Sequence, residues 1–366
     1  TSNACTITLP ASASVGDTII FTDYARNWGT NGITIDSNGL NYQSRADTWI
    51  VEYGTDGMSL AITYMNATQG WVPTIDEAVT DVPSKGNQEG IFGFGWISAV
   101  TGVTNLVSNT GVVGTDVTGV GTGREELAAC EYGGDKGIFG FGQLSPATDI
   151  TNLVSNAGVV ASDVSGVGTA RRQLAACSYG GDKGIFGYGH ATLSMTNLVS
   201  DAGVVGTDVT GVGTGRDYLG ACEYGTDTAI FGFGYTGSVV GMTNLVSNAG
   251  VVATDVTAVG TARQYIGACG YGYDKGIFGF GFTASHVSIT NLVSNVGVVG
   301  TDVTGVGTAR SYASATQYGG DKGIFGYGND GSNQSMTNLV SNAGVVATDT
   351  TGVGSGRSGS AACSFN

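Results

Sequence analysis

Charge is scarce in this chain. Only 12% of its 366 residues are Asp, Glu, Lys or Arg, about half the usual share of roughly 25%. The scarcity is one-sided, with 29 acids against 14 bases and a formal net charge of −15. Such a surface repels phosphate, which argues against nucleic acid as a partner and against an anionic membrane surface. Long apolar runs are also missing. None approaches the ~18 residues needed to cross a bilayer, so no membrane insertion is expected. There are two histidines, and the six cysteines include no CxxC pair. No metal-site signature is left, and neither metal nor cofactor is expected. Nothing at the N-terminus reads as a signal peptide. The chain opens on Thr1 rather than Met, as a trimmed N-terminus would. Helix-forming residues are few beside 64 glycines and abundant Thr, Val, Ala and Ser, and β-branched residues favour strands. Hydrophobic residues still make up 41%, so a large core can form and the chain is no disordered tract.

What is present is repetition. The string TNLVS begins at Thr104, Thr151, Thr196, Thr243, Thr290 and Thr337, in steps of 47, 45, 47, 47 and 47 residues. Around it runs a longer unit, YGGDKGIFGFG…TNLVSNxGVVxTDVTGVGTxR. Short apolar runs and glycine turns at a period of about 45 residues are the mark of a propeller blade. The expected fold is all-β: a six-bladed β-propeller of four-stranded blades over residues 87–366. The first full copy parses as strand a at 127–132, strand b at 137–142, strand c at 151–156 and strand d at 159–164. Strands a and b are apolar on both faces, as inner strands packed between neighbouring sheets are.

The repeats are out of phase with the chain. The first copy starts at strand b, Ile91–Gly95, with no strand a before it. The chain ends on Arg357–Asn366, a strand a with no strand b after it. The C-terminal strand is therefore expected to complete the first blade and leave no unpaired edge. Residues 1–75 lie outside the repeat and read as a small β-sandwich-like module. Its expected strands are 6–9, 18–22, 33–35, 48–53 and 59–64, separated by turn signals such as Asn31-Gly32 and Asp56-Gly57. Residues 76–86, polar and containing Pro83, read as a linker.

The repeat is loosely similar to kelch-type propellers, with an arginine after a glycine stretch, an apolar strand and then (I/F)-F-G-x-G. The double-glycine and spaced-tryptophan pattern of a kelch repeat is missing. The period also resembles that of tachylectin-type propellers, without their motifs. More specifically, DKGIFGFG and NLVSNxGVVxTDxTGVGTxR resemble repeats in tail and tail-fibre proteins of tailed bacteriophages. The stretch from Val15 to Val72 is similar to a β-module of phage virion proteins. The resemblance implies a virion structural or host-attachment role, located in the extracellular particle. It implies other virion proteins as partners of the N-terminal module and leaves a homo-oligomer open. It implies no catalytic set.

Positions shared by the repeats read as scaffold. Asp135/Lys136, Asp182/Lys183, Asp274/Lys275 and Asp321/Lys322 fall in the a–b turn, where Asp suits turn geometry. Arg124, Arg171, Arg216, Arg263, Arg310 and Arg357 stand in one context in every repeat, which suits bonds to carbonyls of the d–a crossing better than a ligand site. One Asp per repeat (Asp116, Asp163, Asp208, Asp255, Asp302, Asp349) lacks the clustered oxygens of a calcium loop. Cys130, Cys177, Cys222, Cys269 and Cys363 share a position that Thr316 fills in the sixth copy, and read as small buried residues too far apart for disulfides.

Function is expected where repeats differ. One variable set follows strand b and the other follows the repeated arginine, and both emerge on one face of a propeller. That face carries Trp96, Tyr235 and Phe282 at one loop position. It carries Tyr218, Tyr265 and Tyr312 at another, and both histidines, His190 and His286. Exposed aromatics on a rigid scaffold suit a host surface glycan or protein as ligand. The alternatives are an architectural virion protein without ligand, a secreted lectin, and a glycan hydrolase using Glu125, Glu126 or Asp217. A non-enzymatic binding role is the expectation.

Overall fold

The computed structural model describes residues 3–47, 51–78, 88–257 and 259–365. The chain divides into two units, Thr1–Ser84 and Lys85–Asn366. Both are built from strands, and no helix occurs among the described residues.

The first unit holds two three-stranded sheets. One joins β1 (Cys5–Thr8), β3 (Ile33–Asp36) and β4 (Val51–Tyr53), with β1 parallel to β3. The other joins β2 (Thr18–Thr22), β5 (Met58–Asn66) and β6 (Gly70–Ala78). Alternation selects the core: β3 buries Ile33 and Ile35, and β5 buries Met58, Leu60, Ile62 and Tyr64. These pack with Leu9, Trp28, Tyr42 and Trp71 into one cluster. Strand β6 is not among the expected strands, because Pro73 interrupts it. The proline sits at a register shift opposite Ile62, where a missing N–H costs no ladder bond. The expected linker therefore begins inside a strand. Its residues 79–86 lie outside the described residues, as do residues 48–50 of the expected fourth strand.

The second unit contains six three-stranded antiparallel sheets. The first is β24 (Ala361–Phe365), β7 (Glu89–Gly93) and β8 (Thr104–Val107). The next three are β9 (Ala128–Tyr132), β10 (Lys136–Gly140) and β11 (Thr151–Val154); β12 (Ala175–Tyr179), β13 (Lys183–Gly189) and β14 (Leu193–Val199); and β15 (Gly220–Tyr224), β16 (Thr228–Tyr235) and β17 (Val239–Val246). The last two are β18 (Gly267–Tyr271), β19 (Lys275–Gly279) and β20 (Thr290–Val293), then β21 (Ser314–Tyr318), β22 (Lys322–Gly326) and β23 (Thr337–Val340). β24 pairs with β7 from Ala361–Gly93 to Phe365–Glu89. The first strands of the sheets lie side by side in order, and β24 touches both β21 and β9.

The expected fourth strand is not formed. It shrinks to two bridges per repeat, Val154–Val160 and Thr151–Val164 in the second. The cause is the Asn of TNLVS. Asn152 Nδ2 donates to Ala161 O at 3.0 Å and to Asp163 Oδ1 at 2.9 Å. Backbone bonds remain at Thr151–Val164, Ala161–Leu153 and Ser155–Val159, while the side-chain amide takes Ala161 O.

Each sheet is keyed to the next by three recurring contacts, except that the last arginine, Arg357, lies 3.9 Å over the Tyr327 ring without donating to a carbonyl. In the first, the second aromatic of each IFGF run meets the first aromatic of the following repeat edge-on. Phe94–Phe139, Phe141–Phe186 and Tyr188–Phe231 have centroids 5.1–5.2 Å apart. Tyr327–Phe92 continues the series from the last repeat to the first, at 5.1 Å. Each such pair contributes roughly 0.5–1.5 kcal/mol beyond burial. The glycine between the aromatics is obligatory, since a Cβ on Gly140 would lie 2.7 Å from the Phe186 ring.

The second contact is the repeated arginine. Arg124 donates from Nε to Phe141 O at 2.7 Å and from Nη1 to Thr122 O at 3.2 Å, and stacks 4.3 Å over the Phe94 ring. It thereby touches two consecutive sheets. Burial pushes its pKa down to about 10, which leaves it charged at neutral pH. The third is an aspartate clamp. Asp163 accepts from Thr122 N at 3.1 Å and from Thr122 Oγ1 at 2.6 Å. Its equivalents do the same through to Asp116, which accepts from Ser355 Oγ at 2.6 Å. The expected bonding of carbonyls is made by five of the six arginines and not by Arg357, and the six aspartates bond the glycine-rich stretch of a neighbouring repeat. All six cysteines are free. Five are buried, and burial raises their thiols, that of Cys269 to about 12, so the reactive thiolate is suppressed.

Candidate functional site

The residue two after each repeated arginine turns toward a common centre. These are Glu126, Gln173, Tyr218, Tyr265, Tyr312 and Gly359. They are linked in series by backbone bonds: Glu126 N to Gly359 O, Gln173 N to Glu126 O, Tyr218 N to Gln173 O, Tyr265 N to Tyr218 O and Tyr312 N to Tyr265 O, at 2.8–3.0 Å. All six have positive φ, between 53° and 60°. Glycine takes that conformation without strain, but for the five others it costs of order 1 kcal/mol each. Strained backbone carrying unlike side chains marks a place where the side chains matter.

The tyrosines meet. Tyr265 stacks on Tyr312 at 4.2 Å, and Tyr218 lies edge-on to Tyr265 at 4.1 Å. Burial and then the neighbouring phenols raise the Tyr312 hydroxyl, so it remains a hydrogen-bond donor. The opposite sector is polar. Gln173 Nε2 donates to Glu126 Oε2 at 2.7 Å, and Arg172 Nε lies 3.6 Å from the same oxygen. Burial raises the Glu126 carboxyl in spite of these partners. Beneath the six residues a cavity of about 90 Å³ is walled by Leu127, Leu174, Leu219 and Ile266 on one side and Ala313 and Ser360 on the other. That is room for about three waters at roughly 30 Å³ each, so a larger ligand would lie across the rim.

Around this centre stand the other expected residues. The first residue after the arginine pairs through the backbone with the start of the b–c loop: Asp217 with Tyr235, Gln264 with Phe282, and Ser358 with Trp96. Phe282 continues the aromatic group, 6.4 Å from Tyr265 and 5.3 Å from His286. The shortened third loop is a tight hairpin, His190–Thr192, with Ala191 and Thr192 at positive φ. It sets His190 Nδ1 3.1 Å from Gln173 Oε1 and 3.8 Å from Asp217 Oδ2. Trp96 is 40% exposed. Among the described residues neither Trp96 nor Tyr235 makes a ring contact with the tyrosine group. So Tyr218, Tyr265, Tyr312, Phe282 and His286 come together, His190 joins the polar sector, and Trp96 and Tyr235 stand outside it. Glu126, Gln173 and Gly359 complete the set and are visible in sequence only as residues aligned with the tyrosines.

A second polar group lines the inner strands. The residue after each cysteine position varies: Glu131, Ser178, Glu223, Gly270, Gln317 and Ser364. The first five of these border a cavity of about 40 Å³. Ser364 donates to Glu131, and Gln317 to Glu223. Burial first, then Glu223, holds Glu131 well above its usual 4.5, and burial raises Glu223 too. Among the described residues no group of three or more His, Cys, Asp or Glu is placed to hold a metal. Nor is any helix long and apolar enough to cross a membrane.

These shifts oppose the clamps. Partial burial pushes the clamp aspartates up, but hydroxyl, amide and backbone donors with the arginines outweigh it and hold them below 3.8. Their stabilisation is full above about pH 4 and is lost as pH falls through the lowered native values. Glu131 and Glu223 favour the folded state when protonated. Their contribution is full below about pH 4.5 and is lost as pH rises through the raised native values. Melting temperature should therefore peak in mild acid, near pH 4.5–5, and E131Q with E223Q should flatten the decline toward neutrality. A melting temperature that climbs steadily from pH 4 to pH 8 contradicts this assignment.

No protein-family model matches the chain, and no curated protein matches it.

Proposed function

We propose that the second unit is a six-bladed β-propeller whose tyrosine-bearing face holds a host surface glycan or protein without transforming it. On this reading the chain is a tail or tail-fibre component of a bacteriophage virion, tied to other virion proteins by its N-terminal unit. The six sheets, the pairing of β24 with β7 and the contacts of β24 with β21 and β9 support the propeller. The observation that carries the binding role is the tyrosine group on left-handed backbone, where an unconstrained loop would relax to glycine. Two of the three carboxylates considered for hydrolysis have one oxygen near a partner: Glu126 Oε2 with Gln173 and Arg172, and Asp217 Oδ2 with His190. That favours holding over hydrolysis.

The test is binding of the full chain to bacterial surface preparations. Replacing Trp96, Tyr235 and Phe282 together by alanine should weaken attachment tenfold or more, about 1.4 kcal/mol. Replacing Tyr265 alone should do at least as much. Replacing Asp135, Asp182 and Asp274 in the a–b turns should change nothing. Equal attachment by all folded variants removes this face as the receptor site. It would favour the architectural reading, which has its own support in six equivalent exposed valines on the c–d turns: Val112, Val159, Val204, Val251, Val298 and Val345.

A further inference from the structure

Two buried polar atoms of the polar sector make no hydrogen bond. Asp217 is 7% exposed, yet its Oδ1 accepts no hydrogen bond, while Oδ2 lies 3.8 Å from His190 Nδ1. Arg172 Nε is buried and donates to nothing within hydrogen-bond distance. Its Nη1 donates to Gln143, and Glu126 Oε2 stands 3.6 Å from Nε. Asp217 and Arg172 occupy the same position in consecutive repeats, the first after the scaffold arginine. At that position in a later repeat, Ser311 satisfies itself against Asn329 O at 3.5 Å. An orphaned buried donor or acceptor costs about 1–3 kcal/mol. Asp217 precedes Tyr218 in the chain, and Arg172 is near enough to act on the Asp217 carboxylate, so a single ligand bearing several hydroxyls can serve both atoms.

The chemistry restricts what that is. A hydroxyl both donates and accepts, so one hydroxyl can serve the carboxylate oxygen while another serves the N–H. Arg172 disfavours a cationic ligand. Asp217, Glu126 and the net charge of −15 disfavour an anionic one. Tyr218 supplies a ring face for an apolar C–H surface. The cavity below, about 90 Å³, admits a side group but not a whole ring.

We propose that the ligand is a neutral sugar lying across the rim, with ring hydroxyls read by Asp217 Oδ1 and Arg172 Nε and its C–H face against Tyr218. This rests on the reading of the face as a binding surface, and it narrows that reading to glycans of one charge class.

The test uses the full chain against immobilised neoglycoproteins bearing glucose, galactose or mannose, with sialylated and sulfated conjugates alongside. At least one neutral conjugate should bind tenfold or more tighter than every anionic one. Mild periodate, which cleaves vicinal diols, should abolish that binding. On the wild-type protein, deoxy analogues lacking either contacted hydroxyl should compete at least tenfold more weakly. This needs no variant and holds even if substitutions unfold the chain. D217N and R172K should each lose tenfold or more, with Q264N unaffected. No binding to any neutral sugar, preference for an anionic one, or indifference to deoxygenation overturns the proposal. If the chain instead holds a bacterial surface protein through Tyr265, the sugar is wrong and the binding face stands. If Tyr265→Ala changes no binding of any kind, the face itself is wrong.

Discussion

Removing Ser358–Asn366 should cost the second unit its fold, although the segment is under a fortieth of the chain. The deletion takes away β24, the first strand of a sheet whose other members lie more than 250 residues earlier. It removes the buried side chains Ala361, Cys363 and Phe365, the last with no exposure at all. Losing a buried aromatic alone costs about 3–5 kcal/mol. The five paired residues of β7, Glu89–Gly93, would also be left with an unpaired apolar edge. Against a typical total of about 5–15 kcal/mol, these losses consume most or all of the stability. Size-exclusion chromatography should find aggregate, and circular dichroism should find a melting temperature lowered by tens of degrees or no transition. A monomer that melts with the intact chain would mean that β24 is dispensable and that the sheet order β24-β7-β8 is wrong.

The second large effect is expected at a buried arginine. Arg263 has no exposed surface. Its Nε donates to Phe280 O at 2.9 Å, its Nη1 to Thr261 O at 3.1 Å, and its guanidinium lies 4.3 Å over the Phe233 ring. Arg263→Ala opens a cavity between two sheets and orphans two carbonyls, for a loss of about 3–5 kcal/mol. Arg263→Lys keeps the charge but not the planar fork or the stacking, and should recover less than half of that. Denaturant melts of both variants check this. If lysine restores full stability, the arginine acts as a point charge, and the fork and stacking contribute little.

The two effects share a cause that the sequence displays openly. Six TNLVS strings and six arginines, each closing a glycine-rich stretch, recur with all but one step 47 residues long. Such a pattern describes equivalent sheets joined in one way. The phase mismatch of the ends points directly to a strand shared between them. The fourth strand is harder to judge. Val159–Val164 has strand composition, while the side chain that takes Ala161 O, Asn152, belongs to another segment. Strand β6 is hidden by Pro73, which is tolerated only because a bulge sits beside it.

The candidate site is legible in part. Aromatic residues at Tyr218, Tyr265 and Tyr312 stand out against Glu126, Gln173 and Gly359, but that all six share a left-handed backbone is not written in composition. Nor is the isolation of Asp217 Oδ1 and Arg172 Nε, which depends on what their neighbours already bond. Glu131 and Glu223 are readable as the one variable position inside an otherwise constant strand. Variable loops overshadow them, because a single changed residue in a buried strand looks like ordinary core variation.

The seam between β24 and β7 also bears on how such a chain lengthens. Its junction lies inside a sheet, so the stretch of gene that is copied is offset by one strand from the body that packs. Any tandem duplication of a whole 45- or 47-residue step, wherever the breakpoints fall, still leaves a lone second strand at the front and a lone first strand at the back. The two ends therefore match after every copying event, and recombination is spared from having to find a boundary. How many copies persist is then decided by geometry. The ring contact of Tyr327 with Phe92 and the pairing of β24 with β7 join the last repeat to the first, and a changed number of copies must form both again.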